Sequence, residues 1–319
     1  MSIPNIKFKI TCFLLTLYSQ FATAQTCTIT PAPLNFGQIS SAATSATTAT
    51  TTLGINCSGF SGLGKIRVCF NFGTGSGGTS YSPRAAVNGS TPINYNVYAD
   101  ASFTTILGKR GAAYGPQSGD LTPNASGSVS ATVTIYGQVP GNQTGLIAGT
   151  YTSSFAGTQS EFDYAPYVLT APSCTTLTSN ATPIPLSITA TIVKNCTLSA
   201  TSINFGTTGL LSTGMSANGS LTATCTLNIP YSIALSAGTV GPINDRGMQI
   251  SSTANIVRYG LYQDSNYSTP WGDGTSGTSA YSGTGTGNAQ LITVYGYVPV
   301  QTSSAPGSYS DTVTATITY

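Results

Sequence analysis

The chain has 319 residues, room for two ordinary domains, and only 6% of them are charged. With Lys7 and Lys9 set aside, the remaining basic residues equal the acidic ones in number, which disfavours a nucleic-acid surface and a polybasic membrane patch. There is no histidine, so a Ser-His or Cys-His nucleophile is excluded, and no C-x-x-C pair supports a zinc site.

Lys7 and Lys9 begin the chain with positive charge, Ile10 to Tyr18 is a short apolar run, and Ala22-Thr-Ala24 is an A-x-A cleavage site. This is the form of a secretory signal over residues 1–24, so the mature chain is expected to begin at Gln25. No other stretch approaches the roughly 20 apolar residues of a membrane span. The rest is rich in Thr, Ser, Gly, Tyr and Val, and its short alternating runs predict strands rather than helices.

The segment starting at Cys27 recurs from Cys196. Cys27-Thr-Ile and Asn35-Phe36-Gly37 return as Cys196-Thr-Leu and Asn204-Phe205-Gly206. Tyr95-Asn-Val-Tyr98-Ala-Asp100 returns as Tyr259-Gly-Leu-Tyr262-Gln-Asp264, and Tyr136-Gly137-Gln-Val139-Pro140 as Tyr295-Gly296-Tyr-Val298-Pro299. Gly149-Thr-Tyr151 returns as Gly307-Ser-Tyr309. Four matches in one order mark a duplication. Strands separated by Gly, Pro, Asn and Ser turns predict a β-sandwich in each copy. Export permits disulfides. Cys12 leaves with the signal, and the other cysteines allow 15 pairings. The repeat makes Cys27–Cys57 and Cys196–Cys225 the equivalent pairs and leaves Cys69 with Cys174.

Between the copies, Ile184-Pro-Leu186-Ser-Ile188-Thr-Ala190-Thr-Ile192 has an aliphatic residue at every second place, the period of a strand with one buried face. Nothing similar precedes Cys27. One copy thus has a spare strand and the other lacks one. The first copy also runs on through residues 157–182, which are expected to form an aromatic loop containing Glu161-Phe162-Asp163-Tyr164-Ala165-Pro166-Tyr167-Val168-Leu169. Other sites are weak. Glu161 and Asp163 are read as a surface pair rather than glycosidase carboxylates. Asp264-Ser-Asn266 and Asp273 miss the calcium-loop spacing. The Gly-rich runs at 73–78 and 283–287 lack a following helix and read as hairpin turns.

In their repeated order, the Cys-Thr-[Ile/Leu] start, Asn-Phe-Gly, Tyr-Gly-x-Val-Pro, Gly-x-Tyr and the closing run Val313-Thr-Ala-Thr-Ile-Thr-Tyr319 resemble the spore coat protein U domain family, as found in two-domain tip subunits of archaic, Csu-type chaperone–usher pili. The resemblance implies an all-β chain of two tandem immunoglobulin-like, pilin-type antiparallel β-sandwiches, the second lacking one strand. Residues 25–183 would form the N-terminal domain, completed by the strand 184–193, and 184–319 the C-terminal domain. Ile184, Leu186, Ile188, Ala190 and Ile192 would be the donor strand. The C-terminal domain would take its strand from an adjacent pilin subunit. The expected mature N-terminus, Gln25-Thr26-Cys27, is too short to donate one onward.

The partners implied are a periplasmic pilus chaperone, zippered along Val313, Ala315, Ile317 and Tyr319, an outer-membrane usher, and an abiotic or host surface. No cofactor and no nucleic acid is implied. The implied place is the cell surface at the fimbrial tip, reached through the periplasm, and the implied role is attachment and biofilm formation. The contact residues expected at the tip are Phe162, Tyr164, Tyr167 and Leu169, joined by Tyr114 and by Leu146 and Ile147. Two other readings stand beside this one: a secreted, self-assembling coat or matrix protein, and a lectin-like glycan-binding module.

Overall fold

The computed structural model describes residues 24–30, 33–250, 254–302 and 305–319. The expected signal lies outside them, except for Ala24. Most runs in which Thr and Ser alternate with aliphatic or aromatic residues form strands, many of them with one dry face. The first unit contains β1 (Thr26–Thr30), β2 (Leu34–Ser40), β3 (Thr47–Ser58), β4 (Lys65–Phe72), β5 (Arg84–Asn88) and β6 (Thr91–Tyr98). It continues with β7 (Gln117–Leu121), β8 (Val129–Val139), β9 (Gly149–Phe155), β10 (Ser160–Tyr167), β11 (Thr182–Pro183) and β12 (Leu186–Val193). One sheet has the order β1-β3-β8-β6-β5-β9-β12-β2 and the other β11-β10-β4-β7. Leu53, Ile55, Phe70, Phe72, Val97 and Ile135 fill the core between them, together with Leu186, Ile188 and Ile192.

The second unit contains β13 (Cys196–Ala200), β14 (Met215–Cys225), β15 (Pro230–Leu235), β16 (Arg246–Gln249), β17 (Ile256–Tyr262), β18 (Tyr281–Thr284), β19 (Ala289–Val298) and β20 (Ala315–Thr318). Its sheets are β13-β14-β19-β17-β16 and β18-β15-β20, with Leu221, Ile233, Trp271, Ile292 and Val294 in a core of its own. The repeat is visible in the pairing. β1 faces β3 with Cys27 opposite Cys57, and β13 faces β14 with Cys196 opposite Cys225. Both pairs are disulfides, and a third joins Cys69 to Cys174.

The shared motifs have physical causes. Asn35 Oδ1 accepts the Gly37 N–H and Asn204 Oδ1 the Gly206 N–H, each at 2.8 Å, and both glycines have the left-handed φ that such a turn needs. The Phe between them packs on the Gly of Tyr-Gly-x-Val-Pro. A Cβ on Gly137 would stand 2.8 Å from the Phe36 ring, and one on Gly296 2.9 Å from the Phe205 ring. The Tyr of Gly-x-Tyr ties down the preceding turn: Tyr151 donates to the Ile147 carbonyl at 3.0 Å, and Tyr309 to the Ala305 carbonyl at 2.7 Å.

A second repeated feature was not read from the sequence. Arg84 and Arg246 are both buried, at 0% and 2% exposure. Arg84 donates to the carbonyls of Phe72, Gly73 and Leu107. Arg246 donates to those of Leu235, Ser236 and Trp271. Each guanidinium closes the end of a core strand, β4 or β15, against a neighbouring loop. Charge-assisted bonds to otherwise unpaired carbonyls offset the cost of burying it. Burial lowers the pKa of Arg84 to about 10 and lowers that of Arg246.

Residues 161–167 of the segment expected to be an aromatic loop are strand. β10 lies on β4 along its whole length, from Ser160 opposite Phe72 to Tyr167 opposite Lys65, the place that β20 takes on β15. Glu161 and Asp163 are not a surface pair. Asp163 is fully buried, and Arg110 bonds both carboxylates as well as the Leu177 carbonyl at 2.6 Å. Asn71 adds a bond to Asp163 at 2.8 Å.

Candidate functional site

The two units differ at one strand position. In the first, β12 is antiparallel to β9, from Leu186 opposite Phe155 to Ile192 opposite Gly149. On its other side it is parallel to β2. Ile184, Leu186, Ile188, Ala190 and Ile192 are each at most 1% exposed. Ile184 precedes the strand, and its N–H donates to the Ser160 carbonyl at 3.2 Å.

The second unit has the flanks of this position without its occupant. Residues 203–209 correspond to β2 and 307–313 to β9, yet among the described residues neither segment forms a strand, and Ser310 makes only an isolated bridge to Gln249. Between them is a groove of about 450 Å³ lined by Ile203, Phe205, Tyr259, Tyr309, Asp311 and Val313, among others. Leu34, Phe36, Tyr151, Ser153 and Phe155 of the first unit are buried. Their counterparts Ile203, Phe205, Tyr309, Asp311 and Val313 are only half-buried. Apolar side chains and unpaired backbone edges in one groove are what an added strand satisfies, with main-chain bonds for affinity and alternate side chains for fit.

Asp311 is the one carboxylate on the groove wall. It accepts from Tyr259 Oη at 2.6 Å, Thr239 N at 2.7 Å, Thr239 Oγ1 at 2.6 Å and Thr312 N at 2.7 Å. Burial raises its pKa, but the bonds from Thr239, Tyr259 and Thr312 outweigh that and hold it below the usual range. The same bond and burial together push the Tyr259 hydroxyl far above its ordinary value.

The expected tip residues separate. Phe162, Tyr164 and Leu146 are core side chains, at 0%, 5% and 4% exposure, so they cannot touch a surface. Phe162 and Tyr164 alternate with polar neighbours, the period of a strand, whereas Leu146 lies between β8 and β9, outside any strand. Ile147 is at the wrong end, bridging to Leu227 where the two units meet. Tyr114 is half-buried near Tyr81. Tyr167 and Leu169 remain, and the structure adds Leu63 and Val168. Leu63, Val168 and Leu169 are 84%, 75% and 94% exposed, and Tyr167 and Val168 lie against the 61–65 turn. Leu63 gave no signal in a Gly-rich turn.

At the C-terminus, Ala315 and Ile317 lie in β20 and are half-buried, Val313 precedes the strand, and Tyr319 is 51% exposed. No cluster of three His, Cys, Asp or Glu able to hold a metal occurs among the described residues.

Comparison with known proteins agrees with the duplication. The Spore Coat Protein U domain model matches residues 13–158 and 182–316. Protein U of Myxococcus xanthus is 33% identical over 129 residues, covering 37% of this chain and 71% of that protein. Among solved structures, the chaperone–tip adhesion subunit pre-assembly complex of the archaic chaperone–usher Csu pili of Acinetobacter baumannii matches with a TM-score of 0.56 and 17% identity, over 92% of this chain and 100% of that one. The CupB6 tip adhesin of Pseudomonas aeruginosa aligns over 92% of this chain and 94% of its own at 14% identity, with a TM-score of 0.37.

Proposed function

Because the chain belongs to the Spore Coat Protein U domain family, we propose that it is the tip adhesin of a chaperone–usher pilus, built to accept a donor strand and to hold its own spare strand internally. The observation that carries this is the contrast between the two strand positions: β12 fills the one in the first unit, and the one in the second is open. A periplasmic chaperone lends a strand to the open groove during export, and the usher replaces it with the strand of an adjacent pilin. The chain then ends the fibre, since the one spare strand among the described residues is already in use. The first unit, at the far end, presents Leu63, Tyr167, Val168 and Leu169 to an abiotic or host surface, supporting attachment and biofilm growth. The A. baumannii relative, obtained as a chaperone–tip subunit complex, is the model for this assembly.

Placing a charge in the groove tests it. Ile203→Asp or Phe205→Asp buries an unpaired carboxylate under any entering strand, a cost of several kcal/mol. The variants are expected to keep a folded first unit, but to capture neither the chaperone's strand nor a pilin's, and so to be absent from purified fibres. Incorporation at the wild-type level would refute the acceptor role.

A further inference from the structure

This inference rests on the acceptor reading above. We propose that Asp311 selects which strand enters the second groove, rejecting one with a bulky aliphatic residue opposite it and admitting one that brings a small hydrogen-bond donor to that place.

The filled groove supplies the comparison. In the first unit Ile188 of β12 lies directly opposite Ser153 of β9. Ser153 is 2% exposed, and its hydroxyl receives the Tyr95 Oη–H at 3.0 Å. That wall is small, neutral and satisfied, and an isoleucine beside it loses nothing. In the second unit the counterpart of Tyr95 is Tyr259, and its bond goes to Asp311 instead. The two side chains occupy the same place. A Cβ on Gly75 would meet Ser153 Oγ at 2.5 Å, and one on Gly238 would meet Asp311 Oδ2 at 2.0 Å.

The difference between the grooves is therefore a carboxylate. Asp311 Oδ1 is saturated by Thr239 N, Thr239 Oγ1 and Thr312 N, while among the described residues Oδ2 accepts only from Tyr259. Arg246 is nearby, but the N–H bonds it makes go to the carbonyls of Leu235, Ser236 and Trp271. With the groove open, water serves the remaining acceptor capacity of Oδ2. A strand that seals the groove removes that water. An aliphatic residue opposite Asp311 gives nothing in return, whereas a threonine or serine hydroxyl, with Cβ atoms about 5 Å apart across the pair, can donate to it. Discrimination of roughly tenfold or more follows. The strand 184–193 of another copy, with Ile188 at this position, is thereby disfavoured, so the two grooves of one chain call for different strands.

The test uses the full chain and two synthetic peptides spanning residues 183–194, one with the natural sequence and one carrying I188T. Wild-type protein is expected to bind the I188T peptide about tenfold or more tighter than the natural one, and D311S to reverse the order. D311N keeps the shape, loses the charge, and is expected to shrink the preference; it serves if D311S does not fold. The same peptide order in wild type and variants, with binding intact, overturns the selection by Asp311 and leaves the acceptor reading standing. Failure of either peptide to bind any of the proteins overturns both.

Discussion

Single residues explain why the two copies keep the same turns. Asp100 and Asp264 hold matching loops: Asp100 accepts from the backbone of Ser102, Thr104 and Thr105, and Asp264 from that of Asn266, Ser268 and Thr269. Each loop also places an aromatic residue, Phe103 or Tyr267, at positive φ, a strained conformation that the surrounding bonds must maintain. For Asp100 the Thr105 N–H is the main cause of a pKa held down to about 2. For Asp264, burial acts upward, but the N–H groups of Ser268 and Thr269 prevail and the value is again about 2. Both lie below the ordinary 3.8. A depressed carboxyl stabilises the fold above its unfolded pKa, and that contribution disappears as pH falls through the folded value. Stability should therefore drop between about pH 4 and pH 2, and D100N and D264N should each flatten that slope. Denaturant midpoints measured across this window check it, and slopes unchanged from wild type would refute the assignment. The matched aspartates were legible because the repeat aligned them. The buried arginines were not, since Arg84 and Arg246 stand in Pro-Arg-Ala-Ala and Asp-Arg-Gly-Met, where nothing in the local pattern distinguishes a core cation from a surface one.

At the scale of elements, legibility followed periodicity. β12 was readable because a polar residue alternates with Leu186, Ile188, Ala190 and Ile192 without a break. β10 was not, because the acids that alternate with Phe162 and Tyr164, and the Pro166 that follows them, also fit an exposed loop. Those acids are tolerated in a strand only because Arg110 arrives from a distant loop, a long-range fact that no window of sequence contains. The weight of β12 can be bounded. Ile184, Leu186, Ile188 and Ile192 are fully buried, and at about 1.5–3 kcal/mol each they supply at most roughly 6–12 kcal/mol. That is comparable with the whole stability of a domain, about 5–15 kcal/mol. A fragment of residues 25–193 should therefore unfold cooperatively, whereas 25–183 should be unfolded or aggregate along its open edge. Chemical denaturation of the two fragments is the measurement, and equal midpoints would show that β12 is dispensable.

The whole molecule has two opposite ends, and strand register locates them. Where the units meet, Asn195 donates to Ser40 Oγ and Ser41 bonds Thr226, both at 2.8 Å. From there β3 runs away from the junction through Thr47 to Cys57 and Ser58, roughly 35–40 Å at about 3.3 Å per residue. The 61–65 turn follows, and β10 ends beside it because Tyr167 pairs with Lys65. Leu63, Val168 and Leu169 thus lie at the extremity farthest from the second unit, and the open groove lies beyond the junction. Scattered exposed aliphatics mean little, but several gathered at one end of a protein with few charges mark a contact surface. The Cys69–Cys174 bridge and the Arg110 pairs hold β10 and the segment that follows it, in which Val168 and Leu169 stand, so less conformational freedom remains to be lost on contact. Replacing Leu63, Val168 and Leu169 together by Ser should leave fibre number and length unchanged and reduce cell retention on a hydrophobic surface by about tenfold or more, since each apolar side chain buried in a contact is worth roughly 1.5–3 kcal/mol. Leu291→Ser is the control: Leu291 is 73% exposed on β19 of the second unit, far from that end, and its loss should change nothing. Retention unaffected by the triple substitution, or reduced equally by the control, would take the adhesive contact away from this extremity.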